Sequence, residues 1–125
     1  MYEYQATVLR IRDGDTIEVD IDLGLYAHLR AALRLRALDT PELVGAERAR
    51  GLAAREYLAT LIPVGTVVRI ETFRRSGAER YIQTFDRFVA EVWTVDGRNV
   101  SAAMREWLDD GFDRTAEHSA HFGAP

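Results

Sequence analysis

Residues 13–42 read DGDTIEVDIDLGLYAHLRAALRLRALDTPE, from Asp13 to Glu42. The run opens on the cluster Asp13-Gly14-Asp15-Thr16 and closes on Arg34-Leu35-Arg36-Ala37-Leu38-Asp39-Thr40-Pro41-Glu42. Between the clusters, Ile17, Val19 and Ile21 alternate with Glu18, Asp20 and Asp22, the period of a half-buried strand. Leu23-Gly24-Leu25 supplies a turn, and Leu29, Ala31, Leu33 and Leu35 resume the alternation, leaving Arg34 and Arg36 on the opposite face. Two strands joined by a turn return the chain to its starting level, so both acidic clusters arrive at one end of a sheet together with Arg34.

Carboxylates gathered at one place repel each other and lose hydration. A bound cation relieves both costs, and on this reading the metal-free protein carries a repulsion among Asp15, Asp39 and Glu42 that asparagine at position 15 would reduce. Oxygen donors from Asp15, Asp39 and a backbone carbonyl suit a hard ion such as Ca²⁺, and a chain without cysteine has no thiolate site. Glu42, three residues past Asp39, is placed to act as general base on a nearby water. Arg34 offers a planar fork of donors to a phosphate. Taken alone, Asp13-Gly14-Asp15 also fits a plain hairpin turn; the second cluster is what favours a site.

The DGDT motif, the R-x-x-x-x-D-T-P-E run from Arg34 to Glu42, and a later arginine in Thr84-Phe85-Asp86-Arg87-Phe88-Val89-Ala90 together resemble the staphylococcal nuclease family over about residues 5–112. The resemblance implies that Asp15 and Asp39 are calcium carboxylates, that Thr40 ligates through its carbonyl, that Glu42 is the general base and that Arg34 and Arg87 clamp phosphate. It also implies an oligonucleotide-binding (OB) type of barrel, a Ca²⁺ cofactor, and hydrolysis of DNA and RNA, single strands preferred, leaving 3′-phosphates. Two departures from the family pattern stand out. Asp86 replaces a glycine beside Arg87, and Glu117 and Ser119 fall where nucleotide-contacting tyrosines are common. The alternative is a non-catalytic nucleic-acid or protein binding module of the same fold, but such modules commonly lose the acids and arginines that this chain keeps.

Outside the central stretch, 125 residues suit one domain with a real core. Tyr4 to Arg12 is rich in β-formers, and Ala46 to Ile62 has helical composition, with Ala49, Ala53, Tyr57 and Leu61 at four-residue steps and Pro63 as its stop. Gly65 to Phe73 and Asp86 to Val95 read as strands, and Asn99 or Ser101 caps a last helix carrying Val100, Met104, Trp107 and Leu108. The expected architecture is α+β: a five-stranded barrel with two main helices over residues 1–112, followed by a tail at 113–125 that holds His118 and His121. Arg74, Arg75 and Arg80 in a polar loop, together with Phe85, are candidate nucleic-acid contacts.

The net charge of −4 is unlike that of a protein that grips nucleic acid mainly by charge, whereas an enzyme needs only local cations and must release its product. Every Lys/Arg position is arginine, which base composition of the gene explains as well as function does. Met1-Tyr2-Glu3-Tyr4-Gln5 carries neither a basic segment nor an apolar run, so the expectation is an intracellular or phage-encoded protein without a membrane span. Nothing in the sequence sets an oligomeric state.

Overall fold

In the computed structural model, residues 2–38, 40–41, 43, 45–72 and 87–111 are described. Five strands close into a barrel in the order β1-β2-β3-β5-β4. These are β1 (Tyr2–Asp13), β2 (Thr16–Gly24), β3 (Ala27–Leu35), β4 (Val67–Thr72) and β5 (Arg87–Trp93). Helix α1 (Arg48–Leu61) follows β3 after a short 3₁₀ turn at Gly45–Glu47, and α2 (Val100–Glu106) follows β5. This is the α+β barrel of OB type expected from the strand count and helix positions. All neighbouring pairs are antiparallel except β3 with β5, which run parallel.

The barrel interior is built by period-two alternation: Ala6 and Val8 from β1, Ile17, Val19 and Ile21 from β2, Val68 and Ile70 from β4, and Ala90 and Val92 from β5 are all buried. β1 cannot hold that alternation by itself, because Ile11 stands three residues after Val8. A bulge between Val8 and Arg10 restores the phase, so that Ile11 faces Ile17 while Arg10 faces Glu18 on the outside. Asn99 caps α2, its side-chain oxygen accepting from Ala102 N–H at 2.8 Å. Val100 and Met104 seal the barrel, and Trp107, in the turn of π-type geometry at Trp107–Gly111, stacks on Tyr57 of α1 with ring centroids 5.0 Å apart.

Three sequence expectations shift. The β2–β3 turn is centred on Leu25 and Tyr26, not on Gly24; both adopt positive φ (54° and 64°), because Gly24 is consumed by an irregularity in the ladder between Asp22 and Gly24. Leu29 is 43 % exposed instead of joining Ala31, Leu33 and Leu35 in the core, since β3 pairs with β5 only over Ala32–Leu35 and its earlier half extends past that ladder. The buried face of α1 is Gly51, Ala54 and Leu58, whereas Ala49 is exposed and Ala53, Tyr57 and Leu61 are half-buried. Small residues on several faces of this helix give more than one plausible stripe, and the strand turn it packs on selects among them. Among the described residues, no helix is long and apolar enough to cross a membrane.

Candidate active site

The β1–β2 turn consists of Gly14 and Asp15 alone, with Asp13 and Thr16 paired across it. Two-residue hairpin loops ordinarily demand positive φ, yet neither residue has it. Gly14 serves a different purpose. A Cβ placed there would meet the Ala54 side chain of α1 at 2.8 Å and Thr40 Cβ and Cγ2 at 3.0 Å. Glycine therefore lets the helix and the Thr40 segment close down on the turn, and that closure brings the second motif to the first.

Asp15 is the centre of the arrangement. Its residue is 6 % exposed, an uncommon burial for a carboxylate. One carboxylate oxygen (Oδ1) accepts from the Thr16 hydroxyl at 3.0 Å; the other (Oδ2) accepts from Thr40 N–H at 3.3 Å and lies 3.6 Å from Arg34 Nη2. The same Nη2 donates to the Leu38 carbonyl at 3.2 Å, holding the guanidinium across the start of the loop, and the Arg34 side chain remains 40 % exposed. Beneath, Leu35 N–H donates to the Asp15 carbonyl at 2.8 Å, fixing the end of β3 to the turn. Asp15, Arg34 and Thr40, far apart in sequence, thus meet as the two motifs predict.

Asp13 is the residue whose role the motif spacing did not resolve. Its Oδ1 accepts from Asp15 N–H at 3.1 Å, an Asx arrangement that shapes the turn. Burial, then the shared contact with Asp15, push the Asp13 carboxyl above the ordinary range. Burial also works against ionised Asp15. The hydrogen bond with Asp13, the Arg34 charge, the Thr16 hydroxyl and the Thr40 amide outweigh it, and Asp15 lies below the ordinary range. The donors around Asp15 thus outweigh its burial, whereas the repulsion expected among Asp15, Asp39 and Glu42 involves two residues outside the described ones.

A prediction with opposite signs follows. A depressed Asp15 contributes stability that is present above the ordinary carboxylate pKa and is lost as pH falls through its folded value. Asp13, being raised, contributes the reverse: ionising it at neutral pH costs the folded state. In metal-free protein at neutral pH, Asp15→Asn is expected to lose about 1–3 kcal/mol, the usual cost of breaking hydrogen bonds to a charged group. Asp13→Asn keeps the acceptor for Asp15 N–H and is expected to melt at or above the parent. Thermal melts with chelator check both, and equal destabilisation by the two substitutions would contradict the assignment.

Asp39 and Glu42, which flank Thr40 and Pro41, lie outside the described residues. So do Arg74, Arg75, Arg80 and Phe85, the Asp86 departure, and the tail with Glu117 and Ser119. Arg87 opens β5, its backbone paired with Ala32, two residues before Arg34 on the neighbouring strand. Among the described residues, no group of three or more His, Cys, Asp or Glu is arranged to hold a metal. The donors present at the turn, the carboxylates of Asp13 and Asp15 and the hydroxyl of Thr16, are all oxygen, the donor type that a hard divalent cation takes.

No protein-family model matches this chain, and no curated protein matches it. The case for a function therefore rests on the geometry around Asp15 and on the two motifs.

Proposed function

We propose that the protein is a Ca²⁺-dependent nuclease that hydrolyses phosphodiester bonds of single-stranded DNA and RNA. The observation that carries this reading is the buried Asp15 carboxylate facing both Arg34 Nη2 at 3.6 Å and the Thr40 amide at 3.3 Å. A purely structural turn has little need of a buried carboxylate beside a half-exposed arginine.

In this reading Asp15 and Asp39, with the Thr40 carbonyl, hold Ca²⁺, which when bound supplies Lewis-acid stabilisation of charge on the phosphate. Glu42 accepts a proton from the attacking water, which adds to phosphorus opposite the 5′ oxygen. Arg34 and Arg87 donate to the non-bridging oxygens, where negative charge grows in the five-coordinate transition state. Asp15, by fixing Arg34 from one side while the Leu38 carbonyl fixes it from the other, pre-sets the direction of that fork. The bond from phosphorus to the 5′ oxygen breaks, the 5′ oxygen takes a proton from solvent water, and the other product ends in a 3′-phosphate.

Incubating purified protein with a labelled single-stranded DNA, in Ca²⁺ or in chelator, tests the reading. Cleavage in Ca²⁺ and none in chelator is expected, with Mg²⁺ a poor substitute because of its stricter octahedral demand and slow dehydration. Cleavage that persists in chelator overturns the metal requirement. Tight binding without cleavage under any condition points to a binding module instead.

A further inference from the structure

We propose that the tip of the β2–β3 hairpin is a self-association surface through which two copies of this chain meet about a two-fold axis. The proposal is independent of the nuclease reading, because the tip lies at the far end of β2 from Asp15, about 30 Å along the strand.

The turn is built against its own local preferences. Gly24 pairs with Ala27, which leaves Leu25 and Tyr26 as a two-residue loop with both residues at positive φ. Such a loop is of type I′, whose ordinary occupants are asparagine and glycine. Bulky side chains are strained there, since Cβ crowds the neighbouring carbonyl. Leu25 and Tyr26 are also fully exposed, so no packing within the chain offsets the strain. A strained turn that presents two apolar side chains to water gains stability once they are covered.

The strands leading to the turn have the same character. The β3–β5 ladder ends at Ala32, and from there to the tip β3 is paired with β2 alone among the described residues. Ile21 is buried in the barrel, while Leu29, its ladder partner, and Leu23, two residues nearer the tip, are exposed. Tyr2, on the face of β1 that buries Ala6 and Val8, is half-exposed at the same end. The apolar face of the barrel wall thus continues past the point where the barrel covers it, and an apolar patch of this kind marks an interaction site.

The charges favour a second copy as the occupant. The opposite face of the arm sets Asp20 and Asp22 of β2 against Arg30 and His28 of β3, and His28 Nδ1 lies 3.4 Å from Asp20. Acids answered by cations on the neighbouring strand let two arms approach, although each chain has a net charge of −4. An anionic lipid surface would call for an excess of Lys and Arg beside the apolar residues, and the arm has no such excess. Packing apolar face on apolar face keeps the charged faces in water, and a two-fold axis brings the two Leu29 side chains together. Leu23, Leu25, Tyr26 and Leu29 of both copies amount to roughly 1,000 Å² of buried surface, the small end of specific interfaces and the size of a weak, concentration-dependent dimer.

Sedimentation velocity from about 5 μM to about 500 μM, spanning the affinities that such an interface supports, tests the proposal. The parent should shift from one chain toward two as concentration rises. Leu25→Asn/Tyr26→Gly, which supplies the residues that a type I′ turn prefers, should need at least about tenfold higher concentration to associate. At the lowest concentration the same double variant should melt a few degrees above the parent, because its turn is unstrained. Leu29→Thr keeps a β-former on the arm and should weaken association about tenfold by itself. A parent that sediments as one chain at every concentration overturns the proposal, as does a double variant that associates like the parent or melts below it. A single-chain parent that binds neutral phosphatidylcholine vesicles overturns it in favour of a lipid surface. In Ca²⁺ both variants should cleave single-stranded DNA like the parent; absence of cleavage in all three would overturn the nuclease reading and leave the association result standing.

Discussion

Replacing Arg34 by lysine is expected to lower single-turnover cleavage of single-stranded DNA about 10²-fold, equivalent to about 3 kcal/mol of transition-state stabilisation. Lysine preserves the positive charge but not the planar fork. In the structure one nitrogen of the fork lies 3.6 Å from the Asp15 carboxylate and donates to the Leu38 carbonyl at 3.2 Å. An ammonium on a flexible stem satisfies these contacts only by turning away from the exposed side of the site, where phosphate must bind. The loss should fall on the rate constant more than on substrate affinity, because the second donor matters most once charge has built on the phosphate. A lysine variant with parental rate would show that Arg34 serves only to neutralise Asp15.

Glu42→Gln is expected to have an effect at least as large, about 10²–10⁴-fold on turnover, the range for removing a positioned general base. Glutamine matches glutamate in size and keeps hydrogen-bonding capacity, so the fold and any calcium-induced rise in melting temperature should persist. Turnover should also lose its acid limb: in the parent the rate falls as the base is protonated, and in the variant no such group remains. Single-turnover rates across acid pH check this. A variant that retains both the parental rate and the parental acid limb would move the base to another residue, and Asp13, a carboxylate of the β1–β2 turn, would be the first to test.

The strands were readable from the sequence because their cause is local. Ile17, Val19 and Ile21 alternate with acids, and they are buried as that alternation requires. The encounter of Asp15 with Arg34 and Thr40 was also readable, since two strands of similar length return the chain to its starting level. What resisted reading depends on distances between elements. Gly14 looks like a residue chosen for turn dihedrals, yet its place is explained by Ala54 and Thr40 pressing on it. The face that α1 buries is ambiguous in sequence because alanines recur around the helix, and only contact with the barrel separates Ala54 from Ala53. The two aspartates of the turn look equivalent in sequence. Their opposite pKa shifts arise from which one receives Arg34, Thr16 and the Thr40 amide.

Those same donors make the turn testable as a metal site without any nucleic acid present. Thermal melts of parent and Asp15→Asn protein over a calcium titration measure binding through stability, because a ligand that binds only the native state raises it by RT ln(1 + [L]/Kd). The parent should melt progressively higher as Ca²⁺ rises above its dissociation constant and return to its starting value when chelator is added. Asp15→Asn should start lower and scarcely move. A parent whose melting temperature is indifferent to Ca²⁺, or an Asp15→Asn variant that gains as much as the parent, would contradict the assignment of Asp15 to a calcium site.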